Sequence, residues 1–208
     1  PWTARIIAEC FRDAGIPDGV VNYVTGPGST LGQAIIDSPQ VDGITFTGSY
    51  DVGMKIYRDF SHGRYVRPII LELGGKNPAI VSRHANLEDA AVGIVRSCFG
   101  LQGQKCSACS RVFIEEPVHD KLVERVVELT RKLTIGDPTD RQTYLGPVIN
   151  KSSYRDYQDF SADLHRSATV LTGGKVLTDS AFAEGYFCTP TIAVDLPADH
   201  RLWQQEMF

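Results

Sequence analysis

Strand-like and helix-like segments alternate along the first third of this chain. The spacing of apolar residues predicts helices over residues 3–13, 31–37 and 50–60, and β-branched or apolar runs predict strands over residues 20–24, 43–47 and 67–73. This alternation is typical of βαβ units and predicts a parallel sheet flanked by helices. Segment 67–73 is apolar along most of its length, as in a strand whose sheet is covered on both faces.

The same pattern starts again after the glycine pair Gly74-Gly75. A short strand is predicted over residues 78–81, and further strands over residues 112–115, 170–171 and 189–194. Helices are predicted over residues 87–101, 118–133 and 152–165. A second run of alternating elements indicates a second α/β domain. We therefore divide the chain into a first domain, residues 1–74, and a second domain, residues 75–208.

Composition narrows the class of protein. The chain has 208 residues, 42% hydrophobic and 22% charged, with a net charge of −4 and no basic cluster, which argues against a nucleic-acid surface. No apolar run approaches the roughly 20 residues of a membrane span. Five cysteines, an odd number in a long chain, indicate a reducing compartment, either cytoplasm or mitochondrial matrix. The start at Pro1 and the apolar-rich end suggest an internal fragment of a longer protein.

A polar loop at residues 102–111 carries two of the five cysteines, Cys106 and Cys109. Three interpretations fit this loop: a structural turn with half-buried thiols, a redox pair with C-x-x-C spacing, and a catalytic loop with a cysteine nucleophile. A nucleophile would need a base elsewhere in the chain. A metal site is not supported, because zinc needs about four ligands and the histidines occur singly.

Two further positions could carry chemistry. Glu72 interrupts an apolar strand, where a carboxylate is costly unless it is paired or protonated. Burial would favour its protonated form and suit a general base, whereas the alternative is an outward-facing or ion-paired glutamate. Gly48-Ser49 opens a predicted helix, whose free N–H groups and dipole suit a pyrophosphate. Ser49 could equally serve only as the helix cap.

Several short motifs occur in a fixed order along the chain: FTGS at 46–49, LELGGK at 71–76, GQKC at 103–106, GDP at 136–138, LGPV at 145–148, GYF at 185–187 and EMF at 206–208. Together they resemble the NAD(P)-dependent aldehyde dehydrogenase superfamily over the whole length. Within that superfamily, GQKCSACSR at 103–111 is most similar to the 1-pyrroline-5-carboxylate dehydrogenases, also called L-glutamate γ-semialdehyde dehydrogenases. The resemblance implies an α/β fold with parts of two Rossmann-like three-layer αβα domains. Residues 1–74 would be the C-terminal part of the NAD-binding domain, and residues 75–208 a truncated catalytic domain.

The resemblance also implies a reaction and its catalytic residues. Cys106 would attack the aldehyde carbon as a thiolate and form a thiohemiacetal, which is oxidised to a thioester. Glu72 would then activate the water that releases the carboxylic acid. The expected reaction is oxidation of L-glutamate γ-semialdehyde to L-glutamate in proline metabolism.

Further site residues are implied in the same way. The expected cofactor is NAD, with NADP as an alternative. Gly48 and Ser49 would line its pyrophosphate site, Glu206 would contact the nicotinamide ribose, and Phe208 would lie beside the nicotinamide. Ser107 would hydrogen-bond the substrate α-carboxylate.

Other readings stay open at this point. The enzyme could act on another aldehyde, or the chain could be a non-catalytic scaffold of the same fold. The expected partner is a small-molecule aldehyde, with no nucleic acid and no membrane, and the full-length protein would be a homo-oligomer. Because family residues that bind the cofactor lie upstream of Pro1, we expect the isolated chain to be nearly inactive.

Overall fold

A computed structural model of the chain describes residues 2–63 and 65–208. Pro1, the first residue of the predicted NAD-binding domain, lies outside the described residues. The chain forms two compact units, with the boundary between Leu73 and Gly74. The sequence places this boundary one residue later. The functional identity of each unit stays a prediction.

The first unit is built around one βαβ element. Its helices are α1 (Trp2–Asp13), α2 (Gln33–Asp37) and α3 (Tyr50–Phe60), its strands are β1 (Ile44–Gly48) and β2 (Ile69–Leu73), and a π-helical turn (Gly28–Gly32) precedes α2. The two strands pair in parallel, so their carboxyl ends meet at one edge. The buried core of this unit is Ile36, Ile56 and Phe60, which come from α2 and α3.

The prediction of a strand at residues 20–24 is wrong. This segment is a turn followed by an irregular loop, and Val20 and Val24 are 67% and 61% exposed. A strand is stabilised by pairing and packing more than by intrinsic preference. Within residues 2–63 and 65–208, no strand pairs with this segment, so its β-branched composition does not decide its conformation.

Strand β2 is covered less completely than its composition predicts. Ile69, Leu71 and Leu73 are partly buried, whereas Ile70 and Glu72 on the opposite face are exposed. The expectation of a sheet covered on both faces is therefore not met in the described residues. Glu72 occupies the outward-facing position that the sequence left open as an alternative.

The second unit has parallel and antiparallel strand pairs. Its helices are α4 (Leu87–Phe99), α5 (His119–Arg131) and α6 (Lys151–Ser167), and its strands are β3 (Asn77–Val81), β4 (Cys109–Ile114), β5 (Thr169–Thr172), β6 (Val176–Leu177), β7 (Phe187–Cys188) and β8 (Ile192–Val194). Strands β3 and β4 pair in parallel across α4. The pairs β5–β8 and β6–β7 are antiparallel, which the sequence pattern does not predict.

Helix α4 forms the centre of the second unit. Its N-cap is Asn86, whose side chain accepts hydrogen bonds from the backbone N–H groups of Glu88 and Asp89, and such a cap stabilises a helix by about 1 kcal/mol. The apolar face of α4 packs on α5 to form the main buried cluster: Val81, Ala91, Ile94, Val95, Leu122 and Val126. This core fixes the end of α4, where the cysteine loop begins. In the described part of the chain, no helix combines the length and apolar character needed to cross a membrane.

Candidate active site

The cysteine loop begins with a left-handed turn directly after α4. Leu101, Gln102 and Gly103 have φ angles of 54°, 59° and 72°. Left-handed backbone at a residue other than glycine costs of order 1–3 kcal/mol and tends to occur at functional sites. A Cβ on Gly103 would lie 2.9 Å from the carbonyl oxygen of Cys98, so the turn also needs glycine for space. This turn reverses the chain ahead of Cys106.

Cys106 lies at the tip of a tight turn formed by residues 105–108. The backbone N–H of Ala108 donates to the Lys105 carbonyl at 3.0 Å, and the side chains of Cys106 and Ser107 are exposed. Among the described residues, the Cys106 N–H has no hydrogen-bond acceptor. Cys106 thus combines an exposed thiol with a backbone N–H that has no acceptor, and a nucleophile and an oxyanion donor are groups of these two kinds.

Asn77, at the start of β3, holds this turn from the side. Its Nδ2 donates to the carbonyl oxygens of Cys106 at 2.6 Å and Ala108 at 3.3 Å. Asn77 has no predicted function in the sequence, because only the tertiary structure brings it to the loop. The nearest signal is its place at the end of the glycine motif, which does not identify a partner.

The two cysteines of the C-x-x-C pair have different environments. Cys106 is exposed, whereas Cys109 is buried at the start of β4. The thiol of Cys109 donates a hydrogen bond to the Arg111 carbonyl at 3.5 Å. The neighbouring Cys98 thiol on α4 lowers the pKa of Cys109, while Cys109 and burial raise the pKa of Cys98. Cys109 therefore faces the interior, which favours a packing role for it over a redox pair with Cys106.

Glu206 is fixed against the glycine motif that precedes β3. Its Oε1 accepts a hydrogen bond from the Gly75 N–H at 3.2 Å. A Cβ on Gly74 would lie 2.0 Å from Glu206 Oε2, so this approach requires glycine at position 74. Gly75 lies beside the Cys106 turn, because an ideal Cβ placed on Gly75 would be 3.7 Å from the carbonyl oxygen of Cys106. Segment 74–77 thus contacts both Glu206 and the Cys106 turn.

Two basic residues adjoin this segment. Arg111 on β4 donates from Nε to the Lys76 carbonyl at 3.0 Å and from Nη1 to the Trp203 carbonyl at 3.0 Å. The Lys76 ammonium is buried and lacks a hydrogen-bond partner among the described residues. Burial, followed by the charge of Arg111, lowers the pKa of Lys76 to about 8, against the opposing effect of Glu206. In the sequence, Lys76 is recognisable only as part of a motif, and no pattern marks Arg111.

The remaining candidate residues lie in the first unit, at the carboxyl edge of its parallel strands. Thr47 pairs with Glu72, and Gly48 pairs with Leu73. Ser49 follows β1 and caps α3, because its Oγ accepts a hydrogen bond from the Val52 N–H at 3.4 Å. This is the edge where open α/β sheets bind ligands.

Helix α3 packs closely on the neighbouring strand. A Cβ on Gly53 would lie 2.3 Å from Leu73 Cδ2, so a larger residue would force the Leu73 side chain out of its place against the helix. The first turn of α3 stays near the edge that carries Gly48 and Glu72. The structure therefore groups Gly48, Ser49 and Glu72 in one unit, and Cys106, Ser107, Glu206 and Phe208 in the other.

A cavity of about 450 Å³ lies within the second unit. Its walls are mainly apolar side chains of α4, β4, α5, α6 and β8, and it includes Cys98 and Cys109. Neither Cys106 nor Ser107 lines it. The exposed turn, rather than this interior space, presents the candidate nucleophile.

Comparison with known proteins identifies the family of the chain. Residues 1–208 match the aldehyde dehydrogenase family, and the chain belongs to that family. It is 40% identical over 212 residues to the 1-pyrroline-5-carboxylate dehydrogenase of Geobacillus sp. (strain WCH70), a match that covers 100% of this chain and 40% of that relative. The chain therefore spans about 40% of the length of this relative.

Solved structures of aldehyde dehydrogenases also resemble this chain. The 1-pyrroline-5-carboxylate dehydrogenase from Thermus with bound NAD has a TM-score of 0.87 and 35% identity, covering 96% of this chain and 38% of that one. The NAD-dependent aldehyde dehydrogenase from Sinorhizobium meliloti has a TM-score of 0.91 and 35% identity, and the match covers 99% of this chain and 40% of that one. The predicted superfamily, its resemblance to the 1-pyrroline-5-carboxylate dehydrogenases and the α/β fold class are confirmed. The roles of the individual site residues stay predictions.

Proposed function

We propose that this chain belongs to an enzyme that oxidises an aldehyde to a carboxylic acid with NAD, and that the aldehyde is L-glutamate γ-semialdehyde. The observation that carries the proposal is the exposed Cys106 on a turn fixed by Asn77. Relatives named 1-pyrroline-5-carboxylate dehydrogenase support the choice of substrate. We further propose that the complete protein is a homo-oligomer and acts in a reducing compartment, the cytoplasm or the mitochondrial matrix.

Cys106 performs the first step in this proposal. Its thiolate forms a C–S bond to the aldehyde carbon, and the carbonyl oxygen becomes an oxyanion. The free N–H of Cys106 donates a hydrogen bond to that oxygen. Loss of hydride from the same carbon then gives a thioester, so one difficult oxidation is divided into two easier steps.

Glu72 performs the second step. As a general base, it takes a proton from water, and the resulting hydroxide adds to the thioester carbon. The C–S bond breaks, Cys106 leaves as a thiolate, and the carboxylic acid is released. Its position at the carboxyl end of β2 supports this role.

The residues of the chain fit NAD. The positive end of helix α3 offers backbone N–H groups for the pyrophosphate beside Gly48 and Ser49. Glu206 presents a carboxylate that can accept hydrogen bonds from ribose hydroxyls, and Gly74 leaves room for that carboxylate beside the backbone. Phe208 is 55% exposed and offers an apolar ring for the nicotinamide. When bound, NAD supplies the hydride acceptor; NADP is the alternative.

Ser107 provides the test of the substrate. We expect Ser107→Ala in the complete protein to lower kcat/KM for glutamate γ-semialdehyde about 10–100-fold, because a hydrogen bond to a charged carboxylate is lost. The kcat/KM for a simple aliphatic aldehyde should change less than about threefold, since that substrate has no carboxylate for Ser107 to bind. The measurement is NADH formation by absorbance.

The matched control is Ser152→Ala, which removes an exposed serine hydroxyl at the start of α6. This variant should leave kcat/KM for both substrates unchanged. Equal losses for both substrates in Ser107→Ala would reject the substrate assignment but keep aldehyde oxidation. No NADH from either substrate with the unmodified complete protein would reject the proposed function itself.

Asn77→Ala tests how the cysteine turn is held. Removing the Nδ2 donor leaves the Cys106 carbonyl without its 2.6 Å partner, and the turn gains freedom to move. Loss of orientation at a reacting group should lower kcat about tenfold or more. The measurement is steady-state kinetics at saturating aldehyde and NAD.

Asn86→Ala is the control for a general loss of stability. Asn86 caps α4 and does not contact the turn, so this variant should lower the melting temperature and retain kcat. If both variants retain kcat, Asn77 is not needed to hold the nucleophile.

A further inference from the structure

A single carboxylate on α6 lies among three basic side chains. Asp163 is 12% exposed at its side chain. Its Oδ2 lies 2.8 Å from Nε and 2.7 Å from Nη2 of Arg201, and 3.6 Å from Nε2 of His200, while Oδ1 lies 3.1 Å from Nη2 of Arg166. Two nitrogens of Arg201, Nε and Nη2, converge on the single oxygen Oδ2, and two donors from one planar group fix direction as well as distance.

The charges of the three basic side chains favour the ionised form of Asp163. Burial raises the pKa of Asp163, but the hydrogen bond from Arg201 and the nearby charges of Arg201, His200 and Arg166 outweigh it and hold the pKa below its usual value. Arg201 also stacks over the Phe160 ring of the same helix, 5.6 Å from its centroid. Helix α6 therefore holds the Arg201 side chain by charge and by packing.

Arg201 in turn organises the backbone that leads to Glu206. Its carbonyl accepts hydrogen bonds from the N–H groups of Gln204 at 3.0 Å and Gln205 at 2.8 Å. Its Nη1 donates to Gln205 Oε1 at 2.5 Å. The Arg201 side chain thus attaches the turn to α6, and the Arg201 carbonyl forms the backbone hydrogen bonds of the turn immediately before Glu206.

The segment has little regular structure of its own. Arg201–Trp203 is a single 3-10 turn, and one isolated turn is too short to be stable alone. Leu202 is 2% exposed and ties the turn to the interior, while Arg111 holds the Trp203 carbonyl from β4. The Asp163–Arg201 contact is the ionic attachment of this segment to α6.

We infer that Asp163 is a positioning residue for the cofactor: by orienting Arg201, it sets the place of the Glu206 carboxylate. This inference rests on the proposed function, in which Glu206 binds the nicotinamide ribose. Asp163 does not touch the cofactor and acts through Arg201 and the 201–205 turn.

The test is NAD affinity in the complete protein. Asp163→Asn removes the charge that holds Arg201 and keeps the size of the side chain. We expect the Kd for NAD, measured by calorimetry without aldehyde, to rise about tenfold, within the range by which remote residues modulate a site. Asp163→Glu, which restores the carboxylate, should recover part of the affinity. Asp159→Asn, at an exposed position on the same helix, is the matched control and should bind as the unmodified protein does.

A double variant separates positioning from a general loss of structure. Glu206→Gln should weaken NAD binding by itself, and Asp163→Asn added to it should weaken binding no further, because both act on one contact. Additive losses would overturn the inference, as would a lower melting temperature of Asp163→Asn with unchanged NAD affinity.

A second variant covers the case in which Asp163→Asn does not fold. Arg201→Lys keeps the charge but loses the two converging N–H donors, and it must weaken NAD binding or the inference fails. Absence of NAD binding by the unmodified protein would instead reject the proposed function.

Discussion

Replacing Cys106 with alanine should abolish aldehyde oxidation by the complete protein. The proposed reaction passes through a covalent bond to the Cys106 sulfur, and alanine offers no nucleophile. Loss of an enzyme's covalent nucleophile lowers kcat on the order of 10⁴–10⁶-fold. The side chain is exposed at the tip of a turn, so the shorter residue should leave the folding stability nearly unchanged. NADH formation and thermal melting, measured on the same preparation, test both expectations.

Cys10→Ala is the matched control for this experiment. Cys10 is also an exposed free thiol, on helix α1, and its removal should leave the rate unchanged. A thiol reagent should correspondingly inactivate the unmodified protein and Cys10→Ala alike. Activity that survives in Cys106→Ala would overturn the mechanism, because no other step in the proposal replaces the C–S bond.

A further variant, Cys109→Ser, tests the redox interpretation of the loop. If Cys106 and Cys109 worked as a dithiol, Cys109→Ser would also abolish function. In the structure Cys109 is buried at the start of β4 and donates to the Arg111 carbonyl, so we assign it to packing. An aldehyde dehydrogenase that uses Cys106 alone should keep its chemistry in Cys109→Ser, apart from any loss of stability.

Helix caps and apolar spacing in the sequence predict helices whose bounds depend on neighbouring residues of the chain. Helix α3 has the predicted bounds, since Ser49 caps it and Ile56 and Phe60 recur on its buried face. The segment at residues 20–24 has equally clear β-branched composition but forms no strand, because pairing with a neighbour decides that outcome. The apolar pattern predicts that β4 starts at Val112, but the strand starts at Cys109, because Cys109 pairs with β3 without belonging to an apolar run.

The candidate site divides in a similar way. Cys106 and Glu72 stand out in the sequence because a thiol in a polar loop and a carboxylate in an apolar strand are unusual by themselves. Asn77 and Asp163 do not stand out, because their functions depend on partners 29 and 38 residues away. Such contacts exist only after the chain has folded, so no spacing rule identifies them.

Replacing Glu72 with glutamine should block the second half of the reaction and leave the first half intact. Glutamine has nearly the same shape but cannot accept a proton from water. The steady-state rate should fall about 10²–10⁴-fold, the usual contribution of a general base. Because Glu72 is exposed at the end of β2, the substitution should cause little change in folding stability.

The distinguishing result for Glu72→Gln is a burst. The unmodified Cys106 still forms the thioester, so a rapid phase of about one NADH per site should precede the slow steady state. Mass spectrometry of the quenched protein should find the acyl group on Cys106. Glu124→Gln, at an exposed position of α5, is the control and should retain the full rate. Loss of the burst would place Glu72 before the thioester, as the base for the thiol, and an unchanged steady-state rate would assign water activation to another group.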